Sequence, residues 1–304
     1  MNLKLLEANI LNKPELDPLT YSAWGEGIDF DQWMYRERAL CESDWARTCM
    51  RAWKFVNEKN EVVSTCETFR MQARGGTSIF GIASVVTPVK YRGKGYATQL
   101  LSQVIQKVES ENQKVLGWML QSEVGASIYE RNGFQACVTD VWYLPPVHGR
   151  ETSHPKLKHL TRQEALQAWK PRPLDLIQPT SAQIDWHFTR EHVYREMQHP
   201  EDFTKKIYSG AQLGESQILW VVNRDRYLQV LSLQADSKAD RESLLLAAQN
   251  YAAELNLSEV VIWNSECENL RPERGILKPM PDNIPMIRGI DPRDWKPCSR
   301  TTWC

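Results

Sequence analysis

The segment whose residue types and spacing could do chemistry most directly is Arg92-Gly93-Lys94-Gly95. Gly93 and Gly95 permit positive φ and a close backbone approach, so successive N–H groups can converge on a phosphate. Arg92 and Lys94 supply positive charge, and a helix beginning near Tyr96 would add the positive end of its dipole. With a buried strand leading in and an apolar-striped helix leading out, this is an anion cradle; without them it is a tight turn decorated with solvated basic side chains. Other ligand sets are weaker. His187 and His192 are five residues apart, about 140° around a helix, so they cannot share a metal as an i,i+4 pair does, and either is equally at home as a packed or surface histidine. The seven cysteines are scattered, odd in number and without a C-x-x-C pair, which argues against a disulfide framework and a zinc site.

The flanking elements meet the condition. Residues 78–87 (SIFGIASVVT) are apolar and β-branched nearly throughout, as a central strand buried on both faces should be. After the loop, Ala97, Leu100, Leu101, Val104, Ile105 and Val108 form one apolar helical stripe. Upstream, residues 51–56 and 62–71 read as a hairpin around a polar turn at 57–60, and Gly75-Gly76 turns the chain again. Downstream, 114–121 reads as a strand, 124–132 as a short helix stopped by Gly133, and 134–144 as a strand ended by Pro145-Pro146. The polar stretch 148–155 marks a domain boundary. Beyond it the order recurs: a hairpin at 218–222 and 227–233, a striped helix through Leu244, Leu245, Ala248, Tyr251, Ala252 and Leu255, and a strand at 259–263. The loop between strand and helix there, residues 234–240, holds no glycine, so the second half has no phosphate cradle.

The segment 85–98 resembles motif A of the GNAT superfamily of N-acetyltransferases, Q/R-x-x-G-x-G/A between a strand and a helix. Lys90 stands at its first position. Residues 120–134 (LQSEVGASIYERNGF) resemble the family's motif B, with Ser122 where Asn is usual and Gly125 where Ala is usual. Within the superfamily the likeness is to the fungal lysine N6-acetyltransferase group. It is carried by the T-P-x-x-Y-R-G-K-G-Y-A form of motif A, an L-x-S-D/E-I/V-G-x-x-x-Y form of motif B, an R-E-x-x-L element (Arg36, Glu37, Leu40) and a W-H-x-x-R-E element (Trp186, His187, Arg190, Glu191). The superfamily likeness covers about residues 1–145; the narrower one reaches the second half only through 186–191.

The resemblance implies a mixed α/β fold in which strands 78–87 and 114–121 run parallel and splay apart at their ends. Acetyl-CoA is then the co-substrate. Its pantetheine arm would lie along Val85, Val86 and Thr87, pairing with free backbone groups of Val85 and Thr87. Its pyrophosphate would sit on the N–H groups of Arg92, Gly93, Lys94, Gly95, Tyr96, Ala97 and Thr98. Tyr129 holds the place of the tyrosine that donates a proton to the departing CoA thiolate, unless it is a core aromatic. Attack requires a neutral amine and hence a base. Glu67 is the first candidate, although it can equally be an outward-facing surface glutamate; Glu123 and Asp140 are the others. Residues 186–191 would help to shape the amine pocket.

Composition bounds the remaining choices. In 304 residues, 37 basic and 38 acidic side chains leave a net charge of −1, so no overall field draws in nucleic acid or an anionic membrane. The first 17 residues do not read as a secretory segment and no 18 apolar residues run together, so a cytoplasmic protein is expected. Most of the twelve tryptophans are expected to fill cores. The chain is therefore expected to hold a GNAT acetyl-CoA-binding catalytic domain at 1–147, with a splayed mixed sheet flanked by helices. A degenerate GNAT-like domain at 156–304 would wall the acceptor site. The expected reaction is acetyl transfer to a primary amine of a small molecule, such as an amino acid side-chain amine, without a metal. The alternative from another class is a catalytically silent acetyl-CoA sensor or interaction protein.

Overall fold

The computed structural model describes residues 2–10, 13, 15–137, 139–149, 155–173, 175–267, 271–272, 274–279 and 283–295. The first half runs β1 (Lys4–Ala8), α1 (Asp17–Trp24), α2 (Phe30–Cys41), α3 (Asp44–Cys49), β2 (Met50–Val56), β3 (Val62–Ala73), β4 (Thr77–Val86), α4 (Tyr96–Glu111), β5 (Val115–Ser122), α5 (Ser127–Glu130), β6 (Gln135–Ala136) and β7 (Asp140–Leu144). The second runs β8 (Lys158–Leu160), α6 (Arg162–Ala168), α7 (Ser181–Gln198), β9 (Gly210–Leu213), β10 (Ser216–Val222), β11 (Leu228–Gln234), α8 (Lys238–Glu254), β12 (Val260–Trp263), α9 (Asn264–Cys267), β13 (Ile276–Pro279) and β14 (Ile284–Arg288). Among the described residues these strands make two seven-stranded sheets, ordered β1-β2-β3-β4-β5-β14-β6 and β13-β7-β12-β11-β10-β9-β8. Each is antiparallel apart from one parallel pair, β4 with β5 and β11 with β12. This is the mixed, helix-flanked architecture that the sequence predicts, built twice.

The hairpins, the central strand and both striped helices form where their periodicity places them. Leu100, Leu101, Val104, Ile105 and Val108 of α4 are buried against Trp53, Phe80 and Trp118 under the first sheet. Leu244, Leu245, Ala248, Tyr251 and Ala252 of α8 are buried with Trp142 and Trp220 under the second. Burial of a large apolar side chain of this kind contributes about 1.5–3 kcal/mol. Helix α5 is shorter than residues 124–132 would allow, because Gly125 at φ 84° breaks its start and Gly133 at φ 80° its end.

The assignment of residues 134–144 to one strand of the first half needs correction. Only β6 stays in the first sheet; β7 crosses to the second, between β12 and β13, and β14 returns to the first, between β5 and β6. The physical reason is burial on both faces. Trp142 and Leu144 face the α8 core while Val141 packs with Val261 and Trp263 on the other side, so β7 needs an interior place. Met286 and Ile287 likewise point into opposite cores of the first sheet. The polar stretch at 148–155 lies partly outside the described residues.

The face of the first sheet opposite α4 is covered by α1, α2 and α3, and by α7 from the second half. Trp45 of α3 meets Trp186 of α7 edge-on at 5.7 Å, and α2 packs along α7. The two halves thereby enclose a cleft at the end of β4.

Candidate active site

Strands β4 and β5 pair from Ser78 with Val115 as far as Ile82 with Leu120, yet β4 continues to Val86 and β5 to Ser122 without pairing. That divergence is a splay. Its local cause is a bulge in β4: the register with β3 moves from Glu67↔Ala83 to Thr65↔Val86, and Ser84 takes φ 52°. A non-glycine residue in that region is uncommon and carries strain. Here the bulge turns the Ser84 hydroxyl onto Glu67, donating to its Oε2 at 2.8 Å.

Beyond the splay, the loop holds Gly93 at φ 74° and Gly95 at φ 75°. A Cβ on either would meet no atom within 4 Å, so their small size is not dictated by packing. Gly95 is also the N-cap of α4, and no side chain accepts from the helix's first N–H groups. Thr87 O accepts from Arg92 Nε at 3.0 Å, and Val86 O accepts from Ser64 Oγ at 3.2 Å. Lys90 is tied to Glu61 at 3.2 Å, and Lys94 lies 5.7 Å from the Tyr91 ring. Tyr96, Ala97 and Thr98 form the half-buried first turn of α4.

The cleft encloses about 350 Å³ and is lined by both halves. On its floor Lys13 Nζ bonds Glu37 Oε2 at 2.8 Å and also contacts Glu67 Oε1; Glu37 in turn contacts Arg36. Burial acts to lower the Lys13 pKa, but the carboxylates of Glu67 and Glu37 outweigh it and hold that pKa well above an ordinary lysine's. Burial likewise acts to raise Glu37, yet Arg36 and Lys13 keep it below the ordinary carboxylate range. Burial pushes Asp17, 3.8 Å from Lys13, up to about 6. Tyr129 reaches the cleft from α5; burial, with smaller contributions from Cys66 and Glu123, pushes its hydroxyl up to about 12. Cys41, the cysteine on the cleft wall, is pushed up to about 12 by burial and so stays a thiol.

Glu67 and Tyr129 therefore come to one cleft, and Glu67 is buried on the sheet, not outward-facing. Glu123 also lines it, accepting from Trp24 Nε1 at 2.9 Å. Asp140 does not: it opens β7 in the second sheet, which sets it aside as a base. Trp186 and Arg190 line the cleft from α7, whereas His187 is buried against Trp186 and His192 stacks edge-on with Phe203. Sequence reasoning did not single out Lys13, Arg36, Glu37 or Tyr194 as site residues, although Arg36, Glu37 and Leu40 were visible as the R-E-x-x-L element. Among the described residues no cluster of His, Cys, Asp and Glu is set to hold a metal ion, and no helix is long and apolar enough to cross a membrane.

Comparison with known proteins adds the family. Residues 52–136 match the acetyltransferase (GNAT) domain, and residues 156–282 match the LYC1 GNAT-like C-terminal domain. A lysine acetyltransferase of Yarrowia lipolytica (strain CLIB 122 / E 150) is 22% identical over 319 residues, covering 81% of this chain and 80% of that protein. The fold is shared with a GCN5-related N-acetyltransferase from Anabaena variabilis ATCC 29413, at TM-score 0.61 and 15% identity over 95% of this chain and 73% of that one. It is shared also with one from Kribbella flavida, at TM-score 0.60 and 13% identity over 94% and 70%.

Proposed function

We propose, for a chain that is an acetyl-transferring enzyme of the GNAT superfamily resembling the fungal lysine acetyltransferases, that acetyl passes from acetyl-CoA directly to the primary amine of a small molecule, an amino acid side-chain amine being the favoured acceptor. Residues 1–147 bind the donor and residues 156–304 wall the acceptor. The fit to a diphosphate rests on Gly93 and Gly95, which take positive φ and leave open space where a side chain would stand, and on the uncapped first turn of α4. The backbone from Arg92 to Thr98 would cradle the pyrophosphate, and Val85, Val86 and Thr87 would flank the pantetheine arm. The bound co-substrate supplies the activated acetyl thioester.

The observation that carries this reading is the placing of Glu67. Its carboxylate is buried on the β3 side of the splay, fixed by Ser84 Oγ at 2.8 Å, and already holds an ammonium, that of Lys13. A carboxylate so placed can bind the acceptor's ammonium and take its proton before attack. Tyr129, raised to about 12, keeps its proton at neutral pH and can give it to the departing thiolate. With the Cys41 thiol likewise protonated, the cleft supports direct attack over a covalent acyl-enzyme.

The test is release of free CoA thiol from acetyl-CoA with a panel of primary amines. At least one amine should be turned over, and Glu67→Gln should lower kcat by about 10²- to 10⁴-fold. Acetyl-CoA binding without turnover of any amine would favour a silent sensor.

A further inference from the structure

The phosphate loop is fastened at a point outside the cleft. A single 3₁₀ turn, Val89–Tyr91, leads from β4 toward the glycines, with Tyr91 N donating to Pro88 O at 2.8 Å. Val89 is 77% exposed, whereas the Tyr91 ring two residues later is buried in the α4 core. That ring meets Tyr96, the first residue of α4, edge-on at 6.3 Å. Its hydroxyl donates to Glu61 Oε2 at 2.5 Å and accepts from Asn57 Nδ2 at 3.3 Å. Lys90 reaches the same carboxylate, its Nζ 3.2 Å from Oε1.

Glu61 is itself held by the turn between β2 and β3. Asn57 N donates to Glu61 O at 3.1 Å, and Asn57 Oδ1 accepts from Lys59 N at 2.9 Å and from Glu61 N at 3.0 Å. Asn57 Nδ2 completes the set by donating to Glu61 Oε2 at 2.8 Å. An asparagine side chain that bonds the backbone a few residues on closes a turn, and here it also aims Glu61 at the loop. Bonds from Tyr91, Asn57 and Lys90 hold the Glu61 carboxyl down to about 2, so it is an anion at neutral pH. Lys90, at the first position of motif A, therefore has its ammonium on the hairpin.

We propose that Asn57, Glu61 and Tyr91 form a strut by which the β2–β3 turn sets the shape of the phosphate loop before acetyl-CoA arrives. This rests on the reading of Arg92 to Thr98 as the diphosphate cradle. Two glycines let the loop fit an anion, but they also widen its conformational choice, and an unfastened loop would lose that freedom on binding. The strut fixes residue 91, two positions before Gly93. Through ring contact it also fixes residue 96, the one after Gly95, so the positive-φ stretch is held on both sides. None of the three strut residues lines the cleft; they are positioning residues, acting through the backbone of 92–95.

The experiment measures the affinity of the full chain for acetyl-CoA by calorimetry and for S-acetylpantetheine, which lacks the diphosphate and the nucleoside, by ligand-observed NMR. The wild type should bind acetyl-CoA more tightly by about 100-fold or more. Tyr91→Phe, which keeps the ring and removes the hydroxyl, should weaken acetyl-CoA by about 10-fold and leave acetylpantetheine unchanged. Glu61→Ala should match it, and Glu61→Gln, which retains an acceptor for Tyr91, should lose only about 3-fold. Damage to the fold as a whole would weaken both ligands alike. Tyr91→Phe and Glu61→Ala variants that keep the wild-type ratio of affinities, or that lose both affinities in equal measure, would overturn the strut. A strong wild-type preference that Gly93→Val removes and the hairpin variants leave intact overturns the strut alone. No preference in the wild type, or one that Gly93→Val leaves intact, overturns the cradle and the strut with it.

Discussion

The strand–helix–strand unit occurs twice, from β4 through α4 to β5 and from β11 through α8 to β12, and the copies differ in what satisfies the same backbone groups. In both, a parallel pair begins and then parts. Strands β11 and β12 pair only at Leu228↔Val260 and Gln229↔Val261, although they run on to Gln234 and Trp263. In the second copy the chain fills its own gap: Leu233 N donates to Glu266 Oε2 at 2.8 Å, and Arg172 donates to Glu266 Oε1 at 2.6 Å. Helix α8 is capped by Ser237 Oγ, which accepts from Asp240 N at 3.1 Å. In the first copy α4 starts at Gly95 without a side-chain cap, and Ser64 and Arg92 answer the Val86 and Thr87 carbonyl oxygens, but among the described residues no carboxylate accepts from a β4 N–H group beyond the splay. The short helix after each second strand shows the same contrast. The third residue of α5 is Tyr129, on the cleft, and that of α9 is Glu266, a buried structural acid. On the proposed reading, one architecture makes a ligand site or a self-contained wall, according to whether its backbone N–H groups are answered from within the chain.

If Glu266 is the internal plug, its removal should damage the fold and spare the ligand. Breaking a buried ion pair costs about 3–5 kcal/mol. Arg172 keeps a second partner in Asp175 at 3.0 Å, so Glu266→Ala should sit at the lower end, about 3 kcal/mol. Chemical denaturation measures this, and Glu266→Gln, which keeps an acceptor for Leu233 N, should lose less. A Glu266→Ala variant of wild-type stability would show that the second gap is not held by that carboxylate.

The complementary change is in the first copy. Acetyl-CoA should stabilise the protein by about 2.7 kcal/mol at a concentration of 100 Kd, and Gly93→Val or Gly95→Val should abolish that shift. A β-branched residue at φ near 75° is strained, and its side chain would fill the space above the N–H groups. Ser237→Ala serves as the control, because uncapping α8 should leave the ligand shift untouched. Folded valine variants with unchanged affinity for acetyl-CoA would refute the cradle.

How far the sequence reached follows from the range of the interactions. Helix α4, helix α8 and both hairpins were legible because their signals are local: a stripe at helical spacing, or β-rich runs around a polar turn. The glycine loop was legible for the same reason. The exchange of β7 and β14 was not, because a short strand apolar on both faces states that it is interior without stating which sheet receives it. The acceptor end was half legible. Glu67 and residues 186–191 were marked, but Lys13 meets Glu67 across 54 residues of sequence, and nothing near either residue announces the other. Glu266 looked like any acid after a strand; only the parting of β11 and β12 gives its burial a purpose.

The smallest expected effect sharpens the comparison of Tyr129 with Glu266. Tyr129→Phe keeps the ring that meets Phe134 edge-on at 6.2 Å, so packing should lose little and acetyl-CoA affinity should hold. The hydroxyl, raised to about 12, stays protonated throughout pH 6 to 9 in the wild type, so it remains a proton donor across that range. General acid assistance is commonly worth about 10²- to 10⁴-fold. A thiolate of pKa about 8.5 is already a tolerable leaving group, however, and water can partly substitute, so kcat should fall by only about 10- to 100-fold. The deficit should widen as pH rises, because solvent becomes the poorer proton source while the wild-type donor is unchanged. Glu266→Gln should show no such pH-dependent loss. The measurement must be made where chemistry, not CoA release, limits turnover. A Tyr129→Phe enzyme with wild-type kcat from pH 6 to 9 would make Tyr129 a packing residue, and the third positions of α5 and α9 would then differ in burial alone and not in chemistry.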